Sequence, residues 1–302
     1  MRAPLQGTCP LVSARIGGAM RPVAASRAPQ AAARGLARLA ASSLALALLS
    51  AAAFAQAGQT ASDKRARKVI DEAVAALGGD KFLTIEDRVE SGRAYSFYRD
   101  ELSGLSIAKI YTRYLTVTPS KSGEELGLRE RQAFGKDQDT ATVFREDEAV
   151  NINWRGAKPV PKEQFARYKD STLRNIFYIL RQRLNEPGLS FESRGLEVMD
   201  YQPTEVVDIL DSENRVTTVY FHQSTKLPVA QKYSSRDPQT KERNDEVTRF
   251  GRYRDNGGIQ WPQQITRERN GEKIFQIFSE SVTFNQDLTD DLFSTSTVTR
   301  KK

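Results

Sequence analysis

Turn chemistry constrains this chain more than any other feature. Asn270-Gly271 supplies the left-handed pair that a tight hairpin needs, and Asp255-Asn256-Gly257-Gly258 and Asp211-Ser212-Glu213-Asn214 mark two further reversals. The segments between them are short and rich in β-branched and aromatic residues: Val216–Phe221, a stretch from Leu227-Pro228 to Tyr233, Phe250–Tyr253, Trp261–Ile265 and Ile274–Phe284. Upstream, the same texture begins at Arg88. Tyr95 and Phe97 alternate with Ser96 and Tyr98, Leu105–Val117 is again β-rich, and Val150, Ile152 and Trp154 alternate with Asn151, Asn153 and Arg155 before Gly156. These segments read as antiparallel hairpins with one face buried.

Two helical stretches interrupt the pattern. From Ser62, apolar Val69, Ile70, Ala73, Val74 and Leu77 recur at three- and four-residue spacing, with Ser62 or Asp63 to cap the start and Gly78-Gly79 to stop it. Phe82, Leu83 and Ile85 predict one more apolar turn. After Pro159-Val160-Pro161, a second helix carries Phe165, Tyr168, Thr172, Ile176, Phe177, Leu180 and Leu184 on one stripe, and Glu186-Pro187-Gly188 ends it. The order helix, sheet, helix, sheet, without a long linker or repeat, predicts one α+β domain with a large antiparallel sheet.

Charge narrows the function. The chain of 302 residues is formally +7, but its first 55 residues hold six arginines and no acid, so the remaining 39 bases face 38 acids. A body so balanced has no surplus cations to release counterions from nucleic acid. Leu39–Phe54 is an uncharged 16-residue run behind Arg34 and Arg38, ending in the small-x-small triplet Ala53-Phe54-Ala55. That is the order of a secretory signal, and it is shorter than the ~20 residues that cross a bilayer as a helix. The competing reading is an uncleaved membrane anchor. Residues 1–55 are thus expected to be a signal and N-terminal extension, with Met1 and Met20 both open as starts, and 56–302 one exported domain, periplasmic or secreted. Cys9, the sole cysteine, lies upstream, so the remaining chain has neither disulfides nor thiol chemistry.

Catalytic motifs are sparse. His222 is the sole histidine and sits on a strand with no nucleophile elbow and no second histidine for a zinc pair. The acid pairs Glu124-Glu125 and Asp290-Asp291 lack calcium-loop spacing, and Gly78-Gly79-Asp80-Lys81 lacks the spacing of a phosphate loop. No catalytic residue, metal or cofactor is assigned, and an exported hydrolase stands as a distant third reading.

The C-terminal text is the most distinctive. Val219-Tyr220-Phe221-His222-Gln223-Ser224-Thr225-Lys226-Leu227-Pro228-Val229 resembles the "hydrophobic strand, Asp-x-x-Thr-Gly-Leu-Pro" hairpin of the LolA/LolB-type lipoprotein carriers. Phe250-Gly251-Arg252-Tyr253, Gly257-Gly258-Ile259-Gln260-Trp261-Pro262 and the closing Val282–Leu288 with Asp291-Leu292-Phe293 are similar to the same domains, as is the opening helix ending Ala75-Ala76-Leu77-Gly78-Gly79. His222 stands where the pattern has Asp, and Lys226 where it has Gly. The resemblance implies a half-barrel antiparallel sheet closed by a few helices, no enzyme activity, and the handling of lipid or lipoprotein acyl groups with transient membrane contact.

Two uses of the apolar bulk follow. The side chains fill an ordinary core, or the curved sheet and the second helix enclose an oily cavity for acyl chains, where each buried methylene contributes ~0.8 kcal/mol. The expected lining is Tyr95, Phe97, Trp154, Phe165, Tyr168, Phe177, Leu180, Phe221 and Phe278. The alternative function is a cell-envelope sensor or scaffold that binds a protein partner with the same fold.

Overall fold

The alternating segments form thirteen strands in one antiparallel sheet. The computed structural model describes residues 61–118, 123–237 and 240–295, all within one compact unit, Ala55–Lys302. The export signal expected in residues 1–55 lies outside the described residues.

Helix α1 (residues 61–77) is followed by the short α2 (Asp80–Leu83). Six strands come next: β1 (Asp87–Tyr98), β2 (Glu101–Tyr114), β3 (Leu128–Phe134), β4 (Thr140–Phe144), β5 (Ala149–Asn153) and β6 (Gly156–Pro159). Then come α3 (Lys162–Leu173), α4 (Ile176–Tyr178) and a π-helical turn, Ile179–Arg183. The second group of strands is β7 (Ser190–Met199), β8 (Gln202–Leu210), β9 (Val216–His222), β10 (Pro228–Arg236), β11 (Arg243–Asp255), β12 (Gln260–Arg269) and β13 (Glu272–Phe284), and a 3-10 turn at Asp290–Phe293 follows. The spatial order is β6-β5-β4-β3-β2-β1-β13-β12-β11-β10-β9-β8-β7. Every neighbour is also a chain neighbour except at the centre, where β1 pairs with β13 from Arg88↔Phe284 to Ser96↔Phe275. The sheet is curved and unclosed, with β6 and β7 as its edges. This is the expected α+β architecture.

The helices cover one face. Ala66, Val69, Ile70, Ala73 and Leu77 of α1 join Ile176, Phe177, Ile179 and Leu180 in the largest core cluster, against Phe191, Val207, Ile209, Val219, Phe221, Phe250 and Trp261 of the sheet. Each large side chain buried there contributes about 1.5–3 kcal/mol. The stop after α1 has a steric cause as well as a conformational one. Gly78 holds φ 130°, and a Cβ there would lie 2.5 Å from the Gly258 carbonyl oxygen in the β11–β12 turn.

The second helix departs from the expectation of one continuous stripe from Phe165 to Leu184. It breaks after Leu173, because Asn175 leaves the helical region (ψ 126°) and its Oδ1 accepts from the N–H groups of Phe177 and Tyr178 at 3.0 and 3.3 Å. A side chain that caps a new helix start ends the old helix beside it. The break separates α3, whose Tyr168 stacks on Phe144 of β4 at 3.6 Å between ring centroids, from α4 and the π turn in the main core.

Candidate functional site

The inner face of the central strands is read directly from the register. Arg88 pairs with Thr112, which pairs with Glu130, so these three stand in one row across β1, β2 and β3. One pleat further along stand Glu90, Ile110 and Gln132, and beyond them Gly92, Ala108 and Phe134. On the other side of β1, Ile277 of β13 pairs with Ala94, and Ile265 of β12 pairs with Ile277. Residues two apart on a strand share a face. The polar row therefore leads into an apolar floor of Ala94, Ala108, Ile110, Phe134, Ile265, Phe275 and Ile277.

A chamber of about 330 Å³ lies over this floor, lined also by Arg88, Glu90, Glu130, Gln132, Trp261 and Arg267, with Asn175 and Phe177 from the helical side. A narrower space of about 190 Å³, here termed the neck, shares Arg88, Glu130, Phe177, Trp261 and Arg267 and adds Thr112, Tyr168, Ser171 and Tyr178. Outside the neck, Gln132, Tyr168, Ser171 and Arg267 continue into an open groove of about 740 Å³ between α3 and strands β10–β12. The result is a chamber with an oily floor and a charged neck at the inner end of an open groove.

The charges are arranged around aromatic rings. The Arg88 guanidinium lies 4.5 Å over the Trp261 ring, its Nη2 donates to Thr112 Oγ1 at 3.1 Å, and its Nε is 3.6 Å from Glu90 Oε2. Burial pulls this guanidinium down, but Glu90, Tyr114, Glu130 and Tyr168 outweigh it and hold Arg88 above its ordinary value, so it stays charged. Ser279 Oγ donates to Glu90. Thr112 Oγ1 and Gln132 Nε2 donate to the two oxygens of Glu130 at 3.2 and 2.6 Å. Burial pushes the Tyr168 hydroxyl well above its usual value, so it remains a neutral O–H. Arg267 reaches Ser171 Oγ at 3.0 Å.

Of the nine aromatic and aliphatic residues expected to line a cavity, the structure brings Tyr168 and Phe177 to the chamber and neck. Leu180 and Phe221 are fully buried in the main core, and Phe165 packs with Phe144, Ala149 and Val160 beneath α3. Tyr95, Phe97 and Phe278 lie on the opposite face. Ala94 and Ser96 hold the inner positions of β1, which turns Tyr95 outward, where its ring meets Phe278 edge-on at 5.8 Å. Trp154 sits in the β5–β6 turn, 56% exposed, with Arg155 4.6 Å over its ring. Its stripe partners Val150 and Ile152 are buried, but on the outer face, under Leu288, Leu292 and Phe293 of the C-terminal segment.

Sequence reasoning missed the polar members Arg88, Glu90, Glu130, Gln132, Arg267 and Trp261. Their signal is present as charged and polar residues at i, i+2 spacing inside β segments, Arg88/Glu90 and Glu130/Gln132, a pattern that ordinarily marks the solvated face. His222 lies away from the chamber and holds its own turn. Asp290 pairs with Arg113 and Arg129.

Similar folds are found among solved structures. A DUF1329 family protein from Desulfovibrio piger superposes with a TM-score of 0.52 at 15% identity, over 76% of this chain and 97% of that one. A putative outer membrane lipoprotein-sorting protein domain from Vibrio parahaemolyticus gives 0.50 at 11% identity, over the same shares. The fold is LolA-like. A LolA superfamily protein from Nitrosomonas europaea gives 0.45 at 12% identity over the same shares. Neither a protein-family model nor a curated protein matches the sequence. At these identities the likeness fixes the architecture, and function has to be argued from the site itself.

Proposed function

We propose that this chain is an exported, non-enzymatic binding protein that carries the acyl chain of a lipid or lipoprotein in the chamber over β1–β3, β12 and β13. Residues 1–55 direct export and are removed near Ala55. One observation carries the reading: the apolar floor of Ile110, Phe134, Ile265 and Phe275 is left partly uncovered by the protein's own side chains and faces a concave space of about 330 Å³. That volume lies within the range of small-molecule sites. Cargo of this kind also agrees with the lipoprotein-sorting name of the Vibrio domain that shares the fold. The expectation from sequence is an apolar cavity between the curved sheet and the second helix; the chamber proposed here adds a neck with charged residues to it. The guest is therefore an amphiphile, with hydrocarbon on the floor and a polar group towards the neck.

A second reading, docking of a protein partner, has its own support. Edge strand β7 and the hairpin that follows it expose Leu196, Val198 and Tyr201, and an open apolar edge is a template for strand addition. Native mass spectrometry of protein purified from expression of the full-length chain, before and after organic extraction, separates the two. The carrier reading expects near-stoichiometric lipid that extraction removes. A clean apo mass that does not change on adding fatty acyl ligands contradicts it.

A further inference from the structure

The apolar floor accounts for hydrocarbon, and the neck poses a separate question. Among the described residues, three buried side-chain polar atoms make no hydrogen bond: Arg88 Nε, Tyr168 Oη and Trp261 Nε1. Thr172 and Glu130 lie near enough to act on the Tyr168 hydroxyl, but neither meets it in full hydrogen-bond geometry. Each such atom gives up its hydration without a replacement bond, and folded proteins leave few of them. All three residues line the same neck of about 190 Å³, and they come from β1, α3 and β12. One stranded atom is a packing defect. Arg88 Nε has an ion-pair partner, Glu90 Oε2, at 3.6 Å, beyond hydrogen-bond reach, and three donors short of a bond around one space describe a missing partner.

The donors define that partner's chemistry. Arginine Nε and indole Nε1 donate only, and the neutral tyrosine hydroxyl donates as well, so the missing group offers acceptor oxygens. The walls define its charge. Arg88 is already matched by Glu90 at 3.6 Å, and Arg267 and Glu130 add one charge of each sign to the same lining. An anion placed here would face the Glu130 carboxylate, while Arg88 is already engaged by Glu90 and Arg267 by Ser171, and a buried charge without full compensation is strongly disfavoured. A neutral acceptor avoids that cost. We infer that the neck is a head-group subsite for a neutral acyl carbonyl, an ester or an amide, whose chain runs onto the floor of the chamber. The inference rests on the carrier reading above and specifies its ligand.

The test uses the delipidated protein from full-length expression and four probes of one chain length, measured by displacement of a fluorescent acyl probe: methyl dodecanoate, dodecanamide, dodecanoate at pH 8, and dodecane. Ester and amide are expected to bind at least about tenfold more tightly than dodecane, the equivalent of about 1.4 kcal/mol, and more tightly than the carboxylate. Comparing ester with amide shows which of the two carbonyl sources the neck prefers. Tyr168→Phe keeps the stacked ring and removes only the unpaired oxygen. It is expected to weaken ester binding about three- to tenfold, leave dodecane binding unchanged, and melt no lower than the wild type. Trp261→Phe is expected to act in the same direction, but it also opens a void beside Arg88, so Tyr168→Phe decides. Equal affinity for all four heads, with Tyr168→Phe indifferent, overturns the subsite, leaves ordered water as the occupant of the neck, and keeps the carrier reading intact. Tightest binding of the carboxylate overturns the neutrality argument. Failure of every probe to bind overturns the carrier reading and the subsite with it.

Discussion

His222 shows how a turn survives the replacement of its signature residue. Its Nδ1 accepts from the N–H groups of Ser224 and Thr225 at 3.2 and 3.1 Å, the service that an aspartate carboxylate renders in such turns. Lys226, standing where the carrier pattern has Gly, takes φ 62°. Its Nζ bridges Glu72 of α1 and Glu205 of β8 at 2.9 and 2.6 Å, which ties the turn to both elements. His222→Ala is expected to cost about 1 kcal/mol in urea denaturation, and His222→Asp to recover most of that. A buried cluster near the end of β8 sets the acid limit. Arg183, 1% exposed, donates to Glu186 and to Asp211 at 2.8 Å. Burial pushes the Asp211 carboxyl up, but hydrogen bonds from Arg183 and Arg215 overrule it and hold Asp211 below the ordinary carboxylate range. A carboxyl depressed by folding stabilises the fold above its unfolded value of about 4, and that contribution is lost as pH falls through the folded value. Asp211→Asn is therefore expected to lower Tm at neutral pH and to flatten its fall below about pH 4. An unchanged acid slope contradicts this role.

At the scale of elements, the hairpins are legible in the sequence and the helix break is not. Asn270-Gly271 sits between β12 and β13 with φ 53° and 85°, as its dipeptide predicts. The turns at 211–214 and 255–258 likewise join β8 to β9 and β11 to β12. The stripe from Phe165 to Leu184 keeps helical spacing straight through Asn175, so periodicity alone does not register the interruption. The capping side chain does, and it is the signal to weigh. After the break, Tyr178 Oη accepts from Gly127 N–H at 2.7 Å, and Gln182 Nε2 reaches the carbonyls of Leu115 and Gly127 at 2.8 and 2.6 Å. These bonds anchor the segment that presents Phe177 to the chamber. Asn175→Ala is expected to cost about 1 kcal/mol and to speed hydrogen exchange at the Phe177 and Tyr178 amides, while α1 stays protected. Unchanged exchange there would mean that the break is held by packing alone.

At the scale of the molecule, alternation locates two faces of a sheet but does not say which one is concave. Both faces of this sheet carry buried apolar residues, because the turn Asp290–Phe293 covers Val143, Val150 and Ile152 on the outer side while the helices cover the inner one. Tyr95, Phe97 and Phe278 read as cavity residues for that reason. The pairing of the first strand with the last is equally hidden, since no local signal encodes a contact between residues nearly two hundred positions apart. That pairing brings Glu90 beside Ser279 and completes the chamber. Entry of hydrocarbon into this space is what makes the protein a carrier, and the protein holds its own reporter of it. Its two tryptophans are Trp154, exposed in a turn, and Trp261, 1% exposed in the chamber wall. In a Trp154→Phe background, an acyl ester brominated along its chain is expected to quench Trp261 fluorescence saturably, near one equivalent. Quenching of Trp154 in the wild type with Trp261 left at full intensity would place the chain elsewhere and contradict the account.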